Sequence, residues 1–358
     1  MKNVFKYYVL ALILVSCGKD FMEKPHEDFF YVKRLDARFP VWVKGNLSSE
    51  NFLLIVHGGP GSTGTQYFRY GAFDYLEEDY AVVYWEQRAS GFSQGTGAGG
   101  QQNLNAEEGS LDCDAVIEVI RHKYNPKNIF LLGHSWGGVL TTAYLANNAQ
   151  RHNKIKGWIL VNGGHNWELG QQLSVQWVRA RAEQRSQDNT LKEKDRKFWS
   201  DVVKWYDENP LGNWDNINSM GWIRKHVDYV DKADGYFLPE NRKRILDKIA
   251  GNTEMRLHEA FSFYGVWAWF TKGNPPIWES QRSITTEKMG NITLPSLILW
   301  GRHDGILPVE LAQDAYDRIS TPEADKSIII FEQTAHSPMF EETYDFNKVV
   351  KNFIDTYK

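Results

Sequence analysis

One serine in the chain is spaced for nucleophilic work. In Gly133-His134-Ser135-Trp136-Gly137-Gly138 it has a glycine two residues away on either side. The apolar run Asn128–Leu132 precedes it, and Val139–Ala149 reads as a helix after it. A serine at so sharp a strand-to-helix turn needs small neighbours because the turn is crowded, and the turn lifts its hydroxyl above the sheet. That placement suits attack on an acyl carbonyl. The oxyanion formed by such an attack needs two N–H donors set in place before charge develops. The residue after the serine offers Trp136 N–H, and the loop His57-Gly58-Gly59-Pro60-Gly61 offers Gly59 N–H. Without a Cβ, that loop backbone can approach the substrate carbonyl closely. A phosphate-binding loop is the other use of such glycines, but the lysine of GxxxxGK[ST] is absent here.

The elements that must position these groups alternate along the chain. Phe29–Lys33 and Phe39–Lys44 read as an early hairpin. Phe52–His57, Tyr80–Trp85, Asn128–Leu132, Ile155–Val161, Ser296–Trp300 and Ser327–Phe331 are short apolar runs of the kind buried on both faces of a sheet. Ser110–Tyr124 carries Leu111, Ala115, Val116, Val119 and Ile120 at helical spacing, and Thr343–Tyr357 carries Phe346, Val349, Val350, Phe353 and Ile354. Strands alternating with helices predict an α/β sheet. From His165 to Gly290 the alternation stops. Charged, helical sequence with nine of the fourteen tryptophans takes its place, which predicts a helical insertion within a two-part core. The expected organisation is a core of residues 28–164 and 291–358 with a helical cap at 165–290.

Three motifs together resemble the prolyl iminopeptidase-like branch of the α/β-hydrolases: the loop His57–Gly61, the segment Glu86-Gln87-Arg88-Ala89-Ser90-Gly91-Phe92-Ser93, and the serine motif Gly133–Gly138. Two positions depart from that branch's DQRGxGxS pattern, Glu86 for Asp and Ala89 for Gly. The resemblance implies a mostly parallel sheet flanked by helices, an inserted helical lid, and a catalytic order of serine, acid, histidine. Asp304, ending Leu299-Trp300-Gly301-Arg302-His303-Asp304, then becomes the acid. His336 becomes the base, since of ten histidines it alone follows the final strand and precedes a terminal helix. His134 reads as packed within the turn, His303 as a wall or surface residue, and His122, His152 and His226 as solvated. The branch uses lid carboxylates to hold the free α-amino group of a peptide. Met255, Glu259, Phe263, Trp267 and Phe270 form one helical stripe, and Glu259 is a carboxylate on its apolar face that needs a partner. A substrate ammonium or an internal Arg or Lys would serve. The branch's Trp-x-x-Trp-Glu lid motif is not reproduced at Trp267-Ala268-Trp269-Phe270-Thr271.

The chain has 358 residues, with 41 basic and 45 acidic side chains, a net charge of −4 that gives no reason to expect nucleic acid. Its two cysteines, Cys17 and Cys113, have no metal-ligand spacing, and neither metal nor cofactor is expected. Cys113 reads as a small buried hydrophobe. Residues 1–16 pair lysines with nine apolar residues, too few to span a bilayer and suited to a secretory leader. Leu14-Val15-Ser16-Cys17 resembles a bacterial lipobox, so Cys17 is expected to be acylated. Residues 17–27 would then tether the protein to a membrane of the bacterial envelope, facing the periplasm or exterior. A Cys17→Ala variant should be released as soluble protein or fail to be processed; unchanged membrane partitioning would reject the anchor. The functional expectation is a serine hydrolase releasing N-terminal proline or another residue from small peptides. A carboxylesterase or other amidase on the same triad is the alternative, and a binding lipoprotein on a dead hydrolase fold is a third. The serine, acid, histidine and glycine loop are all present, which argues against the third.

Overall fold

The computed structural model describes residues 27–93, 104–211, 220–250 and 285–358. Cys17 and Glu259, the expected lipidation and amine-binding residues, lie outside them. Eight strands form one sheet: β1 (Glu27–Arg34), β2 (Ala37–Gly45), β3 (Asn51–Val56), β4 (Ala81–Trp85), β5 (Asn128–His134), β6 (Gly157–Val161), β7 (Ser296–Gly301) and β8 (Lys326–Phe331). Their order is β1-β2-β4-β3-β5-β6-β7-β8. The β1–β2 hairpin and its junction with β4 are antiparallel, and every pairing from β4 to β8 is parallel.

Apolar residues fill both faces of the central strands, so β3 shows no polar alternation. Phe52, Leu54 and Val56 face a layer made with α1 (Ala106–Tyr124), α2 (Trp136–Asn147) and later α7 (Glu310–Arg318). Leu53 and Ile55, one residue out of phase, face the other layer, which includes the C-terminal helix α8 (Thr343–Tyr357). Burying each such side chain contributes roughly 1.5–3 kcal/mol. Helix α1 starts four residues before the expected Ser110, because Asn105 caps it by accepting a bond from Glu108 N–H at 2.9 Å. Every residue of α2 from Trp136 to Ala146 is buried, so that helix has no polar face for a sequence pattern to reveal. Cys113 is buried in the core beside α2, as expected.

Between β6 and β7 the described residues contain no strand. Among the described residues four α-helices lie there: α3 (Trp167–Gln187), α4 (Glu193–Glu208), α5 (Met220–Lys232) and α6 (Pro239–Ala250). Much of this layer packs around its own apolar cluster, with Val178, Trp199, Val202, Tyr206 and Tyr229 at its centre. Arg185 lies over the Trp199 ring, its guanidinium carbon 4.8 Å from the centroid. His226, expected in solvent, is buried. Its Nε2 is 2.8 Å from Ser174 Oγ, its Nδ1 is 2.7 Å from Tyr206 Oη, and its ring stacks on Trp222. The neighbouring Arg224, Lys225 and Asp228 suggest a solvated helix, whereas Trp222, His226, Tyr229 and Val230 form the inward stripe. Among the described residues no helix is long and apolar enough to cross a membrane.

Candidate active site

Ser135 sits between the end of β5 and the first residue of α2, a turn of one residue. Its backbone has φ 54° and ψ −118°, a left-handed conformation costly for a residue with a Cβ. Backbone bonds fix it: Ser135 N–H donates to Val161 O at 3.1 Å, and Ser135 O accepts from Gly138 and Gly164 N–H, each at 2.9 Å. The crowding that demanded glycines is measurable. A Cβ on Gly137 would stand 1.9 Å from Val56 O, and one on Gly133 would stand 2.5 Å from Gly137 O.

Above this turn the expected acid and base meet the serine. His336 Nε2 is 3.0 Å from Ser135 Oγ, and His336 Nδ1 is 2.8 Å from Asp304 Oδ2. The carboxylate can only accept, so Nδ1 carries the proton and Nε2 faces the serine with its lone pair. Asp304 is held from both sides. Its Oδ1 accepts from Ile306 and Leu307 N–H at 2.8 and 2.9 Å, and its Oδ2 also accepts from Asn162 Nδ2 at 2.6 Å. Asn162 is a site residue that the sequence reading missed. It follows β6 with φ 41°, where asparagine is tolerated. Its amide also donates to Ala335 O at 3.3 Å and accepts from Gly301 N–H at 3.3 Å, joining the ends of three strands. The only sequence signal is the tripeptide Asn162-Gly163-Gly164 ending a buried run.

The glycine loop borders the same serine. Gly58 N–H donates to Tyr67 Oη at 2.9 Å, whereas Gly59 N–H makes no bond among the described residues. Further along the loop, Glu86 accepts from Thr63 Oγ1 at 2.7 Å and from Gly64 N–H at 3.0 Å. The Glu86 carboxyl is fully buried, and burial pushes its pKa up to about 7 against the opposing pull of these bonds. Gly91 makes room for it, since a Cβ there would meet the carboxyl carbon at 2.3 Å. Ala89, the other departure from the family pattern, has φ 52° and bears a strain of about 1–2 kcal/mol that glycine would avoid. The buried Arg88 side chain, bidentate on Asp112 at 2.9 and 2.8 Å, ties this segment to α1.

A cavity of about 780 Å³ opens over Ser135, with Gly59, Trp136 and His336 among the lower lining residues. Its α5 and α6 side presents Trp222, Arg224, Asp228, Asp231 and Arg242. Arg242 reaches Asp231 at 2.9 Å, and Asp228 pairs with Lys232 on the more exposed side of α5. The structure thus brings together Ser135, Asp304, His336, Gly59 and Trp136. The arrangement can deprotonate a hydroxyl at Ser135 Oγ and hold an acyl group beside it.

Residues 51–343 match the family model of the alpha/beta hydrolase fold, and the chain belongs to that family. It is a hydrolase of this fold. Over 297 residues it is 24% identical to a probable aminopeptidase of Bacillus subtilis, covering 81% of this chain and 84% of that one. It is likewise 24% identical over 324 residues to a proline iminopeptidase of Saccharolobus solfataricus, covering 87% and 86%. A 2-hydroxy-6-oxononadienedioate/2-hydroxy-6-oxononatrienedioate hydrolase of Cupriavidus pinatubonensis is 22% identical over 335 residues, covering 91% and 94%. The crystal structure of a proline iminopeptidase from Mycobacterium smegmatis superposes with a TM-score of 0.63 at 17% identity, covering 92% of this chain and 98% of that one.

Proposed function

We propose that the protein is a serine hydrolase that releases N-terminal residues, proline among them, from short peptides. The observation that carries the reading is the hydrogen-bonded line Ser135–His336–Asp304 beneath a cavity whose upper wall bears Asp228 and Asp231. In this mechanism His336 Nε2 takes the Ser135 proton as Oγ attacks the scissile carbonyl, and Asp304 stabilises the imidazolium that forms. Gly59 and Trp136 N–H receive the oxyanion. His336 then hands its proton to the leaving amine, and a water activated in the same way cleaves the acyl-enzyme.

An α-ammonium enclosed by the cap needs a fixed negative charge close by. Asp228 is suited to this: its present partner, Lys232, lies on the same helix and is about half exposed. Glu259, outside the described residues, is a second source of that charge. A panel of prolyl anilides tests the reading: the free-amine form should be cleaved and the N-acetylated form left intact. Equal cleavage of the two would reject the aminopeptidase.

A second reading rests on Arg224 and Arg242 on the same wall. Guanidinium groups suit an acidic acyl substrate, and one relative carries the name of a dioate hydrolase. Preference for a hemisuccinate aryl ester over its neutral analogue, with no need for an amine, would favour that esterase-like activity.

A further inference from the structure

His134 and Tyr67 belong to neither the triad nor the expected oxyanion donors, yet both are buried against them. Tyr67 Oη accepts from Gly58 N–H at 2.9 Å and lies 2.6 Å from His134 Nδ1. His134 Nε2 lies 2.9 Å from the backbone carbonyl of His336. These contacts fix every proton by elimination. A carbonyl only accepts, so His134 carries its proton on Nε2, and its Nδ1 is a bare acceptor. Tyr67 O–H must therefore donate to Nδ1, which leaves the Tyr67 oxygen to accept from Gly58. The result is one directed chain, Gly58 N–H to Tyr67 O–H to His134 Nε2–H to His336 C=O.

We propose that Tyr67 and His134 are positioning residues, a buried bridge that holds the glycine loop and the histidine loop in register with Ser135. The inference rests on the serine hydrolase reading but not on the identity of the substrate. The bridge starts at Gly58, directly before Gly59, whose N–H makes no bond among the described residues, and ends on the backbone of the general base. It passes through the residue preceding the nucleophile. A Cβ on Gly58 would come within 3.2 Å of both Ser135 Cβ and His134 Nδ1, which shows how closely these parts meet. Burial keeps the bridge in one state: His134 is held neutral, with its pKa lowered to about 3, and Tyr67 is pushed well above the usual phenol range. An oxyanion donor acts only when it sits within hydrogen-bond reach of the developing charge. Releasing the loop by about 1 Å can cost roughly 10²-fold in rate.

Tyr67→Phe should therefore cut kcat on a simple aryl ester by ~10–10²-fold with KM within about twofold, a loss of transition-state rather than ground-state binding. Affinity for a boronic acid that mimics the tetrahedral state should fall by the same factor, and affinity for the product acid should hold. His134→Leu should behave alike. His134→Gln, which keeps an acceptor and a donor, should recover most of the rate. An unchanged kcat in folded Tyr67→Phe, or equal losses in boronate and product binding, would overturn the proposal. The ¹⁵N shifts of His134 in the unmodified protein give a test independent of activity and of any variant's folding. They should report the Nε2–H tautomer, and an Nδ1–H tautomer would refute the bridge. Failure of a fluorophosphonate to label Ser135 would instead refute the hydrolase reading while leaving the tautomer result standing.

Discussion

The floor and the upper wall of the cavity are built on opposite plans. On the floor Ser135, Asp304 and His336 are 9%, 0% and 3% exposed, and backbone bonds or buried side chains hold each one. On the wall the charges of α5 and α6 project from helix faces and pair with one another, Arg242 being 27% exposed and Asp231 48%. Positions fixed by a strand-to-helix turn and by strand ends cannot drift without breaking the sheet. Positions on a helix face can change identity at little cost to packing. On the proposed function, reaction chemistry would reside in the core and substrate choice in a layer that packs largely around its own apolar cluster.

The largest effects are expected on the floor. Ser135→Ala should lower kcat by ~10⁴–10⁶-fold, and Asp304→Asn by about 10⁴-fold, because the amide disfavours the imidazole tautomer that faces the serine. The double variant should lose no more than the worse single one. Steady-state rates on one ester and one anilide check this. Substantial activity in Ser135→Ala would move the chemistry elsewhere and erase the contrast between floor and wall.

An intermediate, selective effect is expected on the wall. Asp228→Asn should reduce kcat/KM for free-amine anilides by ~10–150-fold, the loss of a charged hydrogen bond of about 1.5–3 kcal/mol. An ester lacking an amine should be hydrolysed as before. Thermal stability should change little, since an exposed i,i+4 ion pair is worth about 0–1 kcal/mol. Equal losses on both substrates would mean that Asp228 shapes the cavity rather than selecting the amine.

The same contrast explains what the sequence could tell. Ser135 was legible because its turn requires glycines at two fixed offsets. Asp304 and His336 were legible because their places after β7 and the last strand follow from the order of the fold. Asn162 was not, since an asparagine after a buried strand looks like any turn residue until the strand ends are brought together. His226 reads as solvated from sequence because its helix alternates charged residues with a narrow inward stripe, and charge dominates the composition. The start of α1 lies ahead of the apolar-spaced stretch because Asn105, the capping residue that sets it, carries no apolar signal. The cap wall was the least legible part: which helix faces meet the serine depends on packing between segments far apart in the chain.

Glu86 offers the finest test, because its buried carboxyl bonds the glycine-loop segment and has no bond to Ser135, His336 or Asp304 among the described residues. Its carboxyl has an ordinary value of 4.5 and is raised to about 7 in the folded protein, with burial as the largest cause. Between these values the folded state keeps a proton that the unfolded chain has released, so stability falls as pH rises through this window. The favourable contribution is complete below about pH 4.5 and gone above about pH 7. Glu86→Gln removes the titration, so its stability relative to the unmodified protein should climb from pH 5 to pH 8. The climb can reach at most about 1.4 kcal/mol per pH unit. Urea unfolding across that range reads it directly. Activity below pH 7 should change only a few-fold, since the Gln carbonyl can still accept from some of the donors Thr63, Gly64 and Thr65. A stability difference that stays flat with pH would mean that the loop bonds, rather than burial, set the state of Glu86. The floor would then contain a permanent buried charge beside the oxyanion loop, and the contrast with the solvated charges of the wall would have to be redrawn around it.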